Sequence, residues 1–334
     1  MHVLVTGAAG FIGNALALRL LEAGHSVTGV DSLTPYYDVS LKRDRLARLE
    51  GRGDFHNVEC AVEDMDALAA AFGAHLPDRV VHLAAQAGVR YSLENPRAYV
   101  DTNVVGSFNV IELCRQHDVE HLVLASTSSA YGANEAYPFR ETDRAEHPLT
   151  IYAATKRASE LIAHSHSHLY DLPVTALRFF TVYGPWGRPD MAPMLFTRAI
   201  AEGRPIDVFN HGRMHRDFTY IDDLVEAILR LADTPPVRGE PVKGAADTLS
   251  PVAPYRLVNI GNANPVPLMD FIRAIETSLG QPAELNMMPM QAGDVVKTYA
   301  DTALLHALTG VRPKVDYTQG VAALVAWFRD YYDL

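Results

Sequence analysis

The sequence predicts an α/β fold built on a doubly wound parallel sheet, with a smaller C-terminal lobe attached. Three observations lead there. Short apolar, β-branched runs alternate with helical patterns through the first half. These runs are continuous rather than alternating, as in strands covered on both faces. A glycine-spaced turn joins the first run to the first helix.

Residues 3–5, 26–30, 80–83, 122–125 and 174–178 read as buried strands. Residues 11–23, 66–72, 105–116 and 152–169 read as the helices between them. Strand–helix alternation of this kind implies crossover connections and helices on both sheet faces. The second half is richer in Pro and Gly. We therefore divide the chain into a sheet domain over 1–180, rejoined by a returning segment near 216–232, and a lobe over 181–334. Residues 234–254 combine Pro and Gly without apolar periodicity, which predicts a flexible loop.

Composition narrows the function. Of 334 residues, 48% are hydrophobic and 21% charged, enough to bury a sizeable core. The net charge is −11 with no basic block, which argues against nucleic-acid binding. Two cysteines, Cys60 and Cys114, make no disulfide framework and point to a reducing cytoplasm. No apolar run is long enough for a membrane span, and no signal peptide is evident.

The turn reads Thr6-Gly7-Ala8-Ala9-Gly10-Phe11-Ile12-Gly13. Glycines at 7, 10 and 13 permit a tight turn and close backbone approach by a pyrophosphate. The opening N–H groups of the next helix would face those phosphates. Asp31 ends the second strand, where a carboxylate accepts both ribose hydroxyls of a dinucleotide and repels a 2′-phosphate. This predicts NAD rather than NADP.

Tyr152 and Lys156 stand one helical turn apart, on one face. A cation beside a phenol favours the phenolate, which can take a proton from a substrate alcohol. Ser126-Thr127-Ser128-Ser129 leaves the fourth predicted strand at its C-terminal end, where open α/β sheets bind ligands. His164, His166 and His168 alternate on a helix, so only His164 and His168 share a face, and no metal site is expected.

Together with Val81-His82-Leu83-Ala84-Ala85, these motifs resemble the extended short-chain dehydrogenase/reductase superfamily over essentially the whole chain. Longer strings are similar to UDP-glucuronate 4-epimerases. They run from Ala85 to Ser92, Gly184 to Ala192, Arg216 to Asp223 and Met290 to Val295. The resemblance implies a Rossmann-type sheet, a Thr127–Tyr152–Lys156 triad, bound NAD, a UDP-uronate substrate and a homodimer. For the cofactor it implies Gly7, Gly10, Phe11, Ile12, Gly13, Asp31, Ser32, Lys42, Val62, Leu83, Ala84, Ala85, Gln86, Asn103 and Phe179, with Tyr152 and Lys156. For the substrate it implies Arg90, Ser128, Ser129, Thr181, Arg188, Met194, Arg216 and Asp294. Arg188 is expected at the sugar carboxylate, Arg216 at the diphosphate and Asp294 at the uridine ribose.

Two positions separate relatives. Dehydratases carry Asp-Glu where this chain has Ser128-Ser129, and UDP-glucuronate decarboxylases carry Glu at the place of Ser129. Many relatives have an adenine-binding Asp at the place of Ala61, so adenine is expected near Val62, Glu63 or Asp64 instead. A decarboxylase, a UDP-glucose 4-epimerase and a non-enzymatic dinucleotide sensor are the alternative readings.

Overall fold

The computed structural model describes residues 1–291 and 293–334. The first half runs β1 (His2–Thr6), α1 (Phe11–Glu22), β2 (Ser26–Asp31), α2 (Val39–Ala47), β3 (Phe55–Glu59), α3 (Met65–Ala74) and β4 (Arg79–His82). Two short turns follow, α4 (Tyr91–Glu94) and α5 (Pro96–Tyr99). A π-helical stretch at Val100–Gly106 then leads into α6 (Ser107–Gln116), β5 (His121–Thr127), α7 (Ile151–Tyr170) and β6 (Val174–Phe179). The second half runs β7 (Thr181–Tyr183), α8 (Ala192–Ala201), β8 (Ile206–Val208), β9 (His215–Tyr220), α9 (Ile221–Ala232) and β10 (Tyr255–Ile260). It ends with β11 (Pro265–Pro267), α10 (Leu268–Leu279), β12 (Leu285–Met287), α11 (Ala303–Thr309) and α12 (Tyr317–Tyr332).

Seven strands form one parallel sheet in the order β10-β6-β5-β4-β1-β2-β3. The strand order reverses between β1 and β4, which opens a crevice at their C-terminal ends. One face is covered by α1, α9 and α11, with Leu16, Leu20, Leu224 and Ile228 in the core. The other is covered by α3, α6 and α7, through Leu68, Phe72, Val110 and Ala163. A second core around Tyr183, Phe218 and Phe271 joins β7, β9, α8, α10 and α12.

All five expected strands and all four expected helices form. The sequence reading gave no element bounds after β6; of the seven-stranded sheet and the helices of the first half it missed β3, β10 and α2, for different reasons. β3 is an edge strand with half-exposed side chains. α2 is rich in charge, and two of its four buried residues are Lys42 and Arg45. β10 is entirely buried, but it follows the irregular 234–254 stretch and joins the sheet out of chain order.

That stretch forms no helix or strand, yet it is anchored. Arg256 donates two bonds to the Asp247 carboxylate at 2.8 and 2.9 Å. His164 pairs with the Ser250 hydroxyl at 2.9 Å, and His168 with the Val252 carbonyl at 2.8 Å. The histidine repeat thus fastens a loop. No metal-binding group of His, Cys, Asp and Glu is present among the described residues.

Helix α7 is tied down by a buried ion pair. Arg178 of β6 donates to Glu160 of α7 at 2.8 and 2.9 Å, the two side chains being 1% and 0% exposed. Ser126 adds a 2.5 Å bond to the same carboxylate, and Arg157 one at 2.7 Å. These partners hold Glu160 below the usual carboxylate range against the opposing effect of burial. Glu160→Ala should therefore destabilise the fold by about 3–5 kcal/mol, because it leaves a buried guanidinium unpaired. The Glu160→Met/Arg178→Met double variant should regain most of that loss in urea denaturation.

Candidate active site

The crevice at the β1–β4 reversal continues between the sheet and the C-terminal lobe as one cleft of about 960 Å³. At its inner end lies the glycine turn. Gly7 has φ +75°, and a Cβ there would sit 2.9 Å from the Ala84 amide nitrogen. A Cβ on Gly13 would meet the Gly7 carbonyl oxygen at 2.0 Å, so helix and turn touch backbone to backbone. Gly10 caps α1 without a side-chain bond, and the first turn holds no acidic residue. Phe11 and Ile12 therefore bring uncapped helix N–H groups to the cleft wall.

Asp31 ends β2 beside this turn. It accepts from the Ala9 amide at 3.0 Å and the Leu33 amide at 2.9 Å, and it still lines the cleft with Ser32. Lys42 reaches the same wall and donates to the Thr34 carbonyl and hydroxyl at 2.8 and 3.1 Å. Burial pushes its ammonium down, with Asp31 opposing. Cys60, Val62 and Glu63 line the far wall, whereas Ala61 and Asp64 do not. Asp64 instead caps α3 through the Ala67 amide at 3.1 Å.

Leu83, Ala84, Ala85 and Gln86 leave β4 along the floor of the cleft, and Phe179 closes it at the end of β6. The Thr6 hydroxyl holds this floor. It accepts from the Leu83 and Ala84 amides at 3.1 Å each and pairs with His82 Nδ1 at 2.7 Å. Burial lowers His82 to about 3, so the ring is neutral.

Asn103, expected among the cofactor residues, does not line the cleft. It is fully buried beneath it. Its amide accepts from Gln86 N at 2.8 Å and donates to Gln86 O at 3.0 Å and to Thr155 at 3.1 Å. With both polar atoms engaged, it shapes the Gln86 loop.

The Tyr152 helix supplies the middle of the cleft. Thr150 caps α7 through the Ala153 amide at 3.2 Å. Thr127, at the end of β5, accepts from the Ser129 amide at 3.1 Å, which turns Ser128 and Ser129 along the same wall. Burial raises the Tyr152 phenol, while a bond with Thr127 and the charge of Arg188 pull it down. Lys156 is 2% exposed, and its Nζ has no hydrogen-bond partner. Burial lowers it to about 8, against the pull of Glu160. A buried ammonium open to a cleft beside a phenol has unmet demand for acceptors, such as the hydroxyls of a bound ribose. This orphan donor, the uncapped α1 and the glycine contacts together fit a dinucleotide.

The outer cleft is lined by cations. Thr181 opens β7, and Arg90 lies 4.9 Å over the Phe209 ring. Arg216 stands 3.8 Å from Asp294 and donates to the His215 and Val296 carbonyls, so these two expected substrate residues form an ion pair within the wall. Arg188 faces the cleft but is held by Asp190, at 3.1 Å through Nε and 2.5 Å through Nη2. Its Nη1 edge remains available for an anion. Tyr36 donates to Asp190 at 3.0 Å, a contact the sequence reading did not anticipate. The Tyr36-Tyr37 pair just beyond Asp31 was the signal that marked it.

Met194 is a correction. It is 2% exposed, packs with Leu324 and Phe328, and does not line the cleft, because α8 turns that side chain toward α12. Met191 and Leu195 of the same region do line it.

The chain is 55% identical to a Rhizobium meliloti protein named "Probable UDP-glucuronate 4-epimerase", over 99% of this chain and 98% of that one. It is 44% identical to UDP-glucuronate 4-epimerase 4 of Arabidopsis thaliana, over 99% of this chain and 76% of that protein. The crystal structure of a Bacillus cereus UDP-glucuronic acid 4-epimerase, in complex with UDP-glucuronic acid and NAD, superposes with a TM-score of 0.88 at 29% identity, covering 99% of this chain and 100% of that one. A family match over residues 3–242 takes in the glycine turn and the Tyr152 helix alike, and with it the chain belongs to the NAD dependent epimerase/dehydratase family.

Proposed function

We propose that this protein is an NAD-dependent UDP-glucuronate 4-epimerase, which interconverts UDP-glucuronate and UDP-galacturonate by inverting C4. The observation that carries the reading is Lys156. Its ammonium is buried, unpartnered and one helical turn from the Tyr152 phenol, in the same cleft as Thr127 and the glycine turn. That is an arrangement for moving the proton of an alcohol next to a dinucleotide.

NAD, when bound, supplies the hydride acceptor and donor that lets the C4 hydrogen leave one face of the sugar and return to the other. The chain's own residues do the rest. The Tyr152 phenolate takes the C4 hydroxyl proton as the carbonyl forms, and gives it back when the alcohol re-forms. Thr127 holds the phenol oxygen by its hydroxyl. Lys156 binds the cofactor ribose and stabilises the phenolate by its charge. Asp31 takes the adenosine ribose hydroxyls and disfavours a 2′-phosphate.

Ser128 and Ser129 bring hydroxyls, not carboxylates, to the sugar. The pair therefore provides no acid and base for loss of water, and no glutamate of the decarboxylase kind. Arg188, braced by Asp190, pairs with the C6 carboxylate. A 4-keto uronate is a β-keto acid, so holding that carboxylate still protects it from loss of CO2. Arg216 serves the diphosphate and Asp294 the uridine ribose, with Arg90, Thr181 and the serines completing the contacts. Product analysis by NMR after incubation with UDP-glucuronate tests the reading. UDP-galacturonate is expected; UDP-pentose would mark a decarboxylase, and no product a sensor.

The chain works as a homodimer in the cytoplasm. Phe108 of α6 and Leu161 and Leu169 of α7 are 43%, 54% and 65% exposed on two adjoining helices, an apolar surface suited to a second copy. Both cysteines are free, consistent with a reducing compartment. No helix is long and apolar enough to cross a membrane among the described residues.

Three outcomes are expected. Tyr152→Phe should lower turnover by at least about 10²-fold, as for loss of a general base, with NAD still bound in the purified protein. Arg188→Ala should reduce kcat/KM on UDP-glucuronate by roughly tenfold to a hundredfold, the worth of a charge-assisted pair, and far less on UDP-glucose; equal losses would assign Arg188 to the fold. Light scattering should give two chains per particle, and Phe108→Glu combined with Leu161→Glu should give one.

A further inference from the structure

Arg45 shares with Arg178 the place of largest fully buried side chain among the described residues, and nothing in the proposed chemistry uses it. It lies in the last turn of α2, a segment rich in charge. All five of its N–H bonds are engaged. Nη1 donates to the Ala9 carbonyl at 3.1 Å and the Tyr37 hydroxyl at 2.7 Å. Nη2 donates to the Trp186 carbonyl at 2.7 Å and the Gly187 carbonyl at 3.1 Å, and Nε to Trp186 again at 3.2 Å. None of these acceptors is charged.

The two ends of this fork hold two different turns behind the cleft wall, one leading to Gly10 and the other to Arg188, both of which line it. Ala9 belongs to the glycine turn, and its amide is already held by Asp31. Trp186 and Gly187 immediately precede Arg188. Trp186 adopts φ +63°, an unfavourable region for a residue with a side chain, which persists only where the surroundings over-determine it. The Gly187-to-Gly184 turn bond at 3.1 Å, the packing of the Trp186 ring against Trp327 and Arg48, and the grip of Arg45 on its carbonyl together supply that determination. A second strap runs in parallel, from Tyr36 through Asp190 to Arg188. A buried guanidinium bonded only to neutral oxygens is electrostatically undersatisfied. Its neighbours Lys42 and Arg48 add positive charge rather than relieve it. A pyrophosphate at the glycine turn, or a carboxylate at Arg188, brings the missing negative charge to either end.

We propose that Arg45 is a positioning residue that couples occupancy of the dinucleotide site to recognition of the sugar's anionic end. Filling either site brings negative charge toward the fork and, through it, steadies the backbone turn that serves the other. This rests on the reading of the cleft as a site for NAD and a UDP-uronate.

The test measures how tightly the purified holoprotein holds NAD, with and without saturating UDP-glucuronate, in a Tyr152→Phe background that blocks turnover. The parent is expected to hold NAD at least about fivefold more tightly with the sugar nucleotide present, the lower range of measured couplings. Arg45→Met, which keeps bulk but no donor, should bring that ratio to within about twofold of one. Arg45→Lys keeps the charge but cannot span both turns, and should also lose most of the ratio. Tyr37→Phe, which removes one neutral bond and neither end of the fork, should preserve it. A parent ratio of one, or an unchanged ratio in either Arg45 variant, overturns the proposal while leaving the function intact. So does failure of both variants to fold, which would make Arg45 purely structural. A parent that binds neither ligand overturns the functional reading instead.

Discussion

The site depends on how firmly the β4 loop is fixed to the Tyr152 helix, and one amide does most of that fixing. Asn103 brackets the backbone of Gln86, bonding both its N–H and its C=O. The same side chain reaches Thr155, and the Asn103 carbonyl accepts from Ser159 at 2.7 Å. Thr155 and Ser159 flank Lys156 on α7. The floor of the cleft and the helix carrying its chemistry are thus referenced to a single buried residue. Because every polar atom in this knot is satisfied, it lends geometry without adding a charge that would compete with a ligand. The π-helical stretch at Val100–Gly106, which places Asn103, is a distortion of the kind that recurs at functional sites.

Charge is handled differently on the two sides of α7. Facing the sheet, Glu160 and Arg178 are paired and multiply bonded, with only Arg178 Nη1 left without a hydrogen-bond partner. Facing the cleft, Lys156 has no partner at all. A buried ammonium without an acceptor is poised to gain more from a ligand than a satisfied one would. The outer cleft repeats the theme with partial satisfaction. Arg188 keeps one edge on Asp190 and presents the other. The chain is acidic overall, so these cations are a local feature of the cleft rather than part of a basic surface.

The short-range features were legible in the sequence because each is written in consecutive or near-consecutive residues. A glycine turn between an apolar run and a helix, an acid at the end of the next strand and a Tyr-Lys pair at helical spacing need no knowledge of the rest of the chain. Burial of the strands on both faces follows from their continuous apolar character. Hence the parallel sheet, the crevice at its C-terminal ends, and the wall positions of Asp31, Thr127, Tyr152 and Lys156 were all within reach.

Tertiary structure decided what lies between those features. Whether Asn103 touches a ligand or supports a loop depends on a crossover that carries it under β4. Whether Met194 faces the cleft depends on how α8 sits against α12. Arg45 lies in a helix rich in charge, and only the approach of residues 186–187 from far along the chain buries it. β10 is apolar enough to be a strand, but its place beside β6 comes from a connection that runs outside chain order. The sequence by itself determines local conformation and the chemistry each residue brings, because those depend on neighbours a few bonds away. Which of these residues meet depends on long-range contacts between the helices, the sheet and the C-terminal lobe, which no local stretch of sequence specifies.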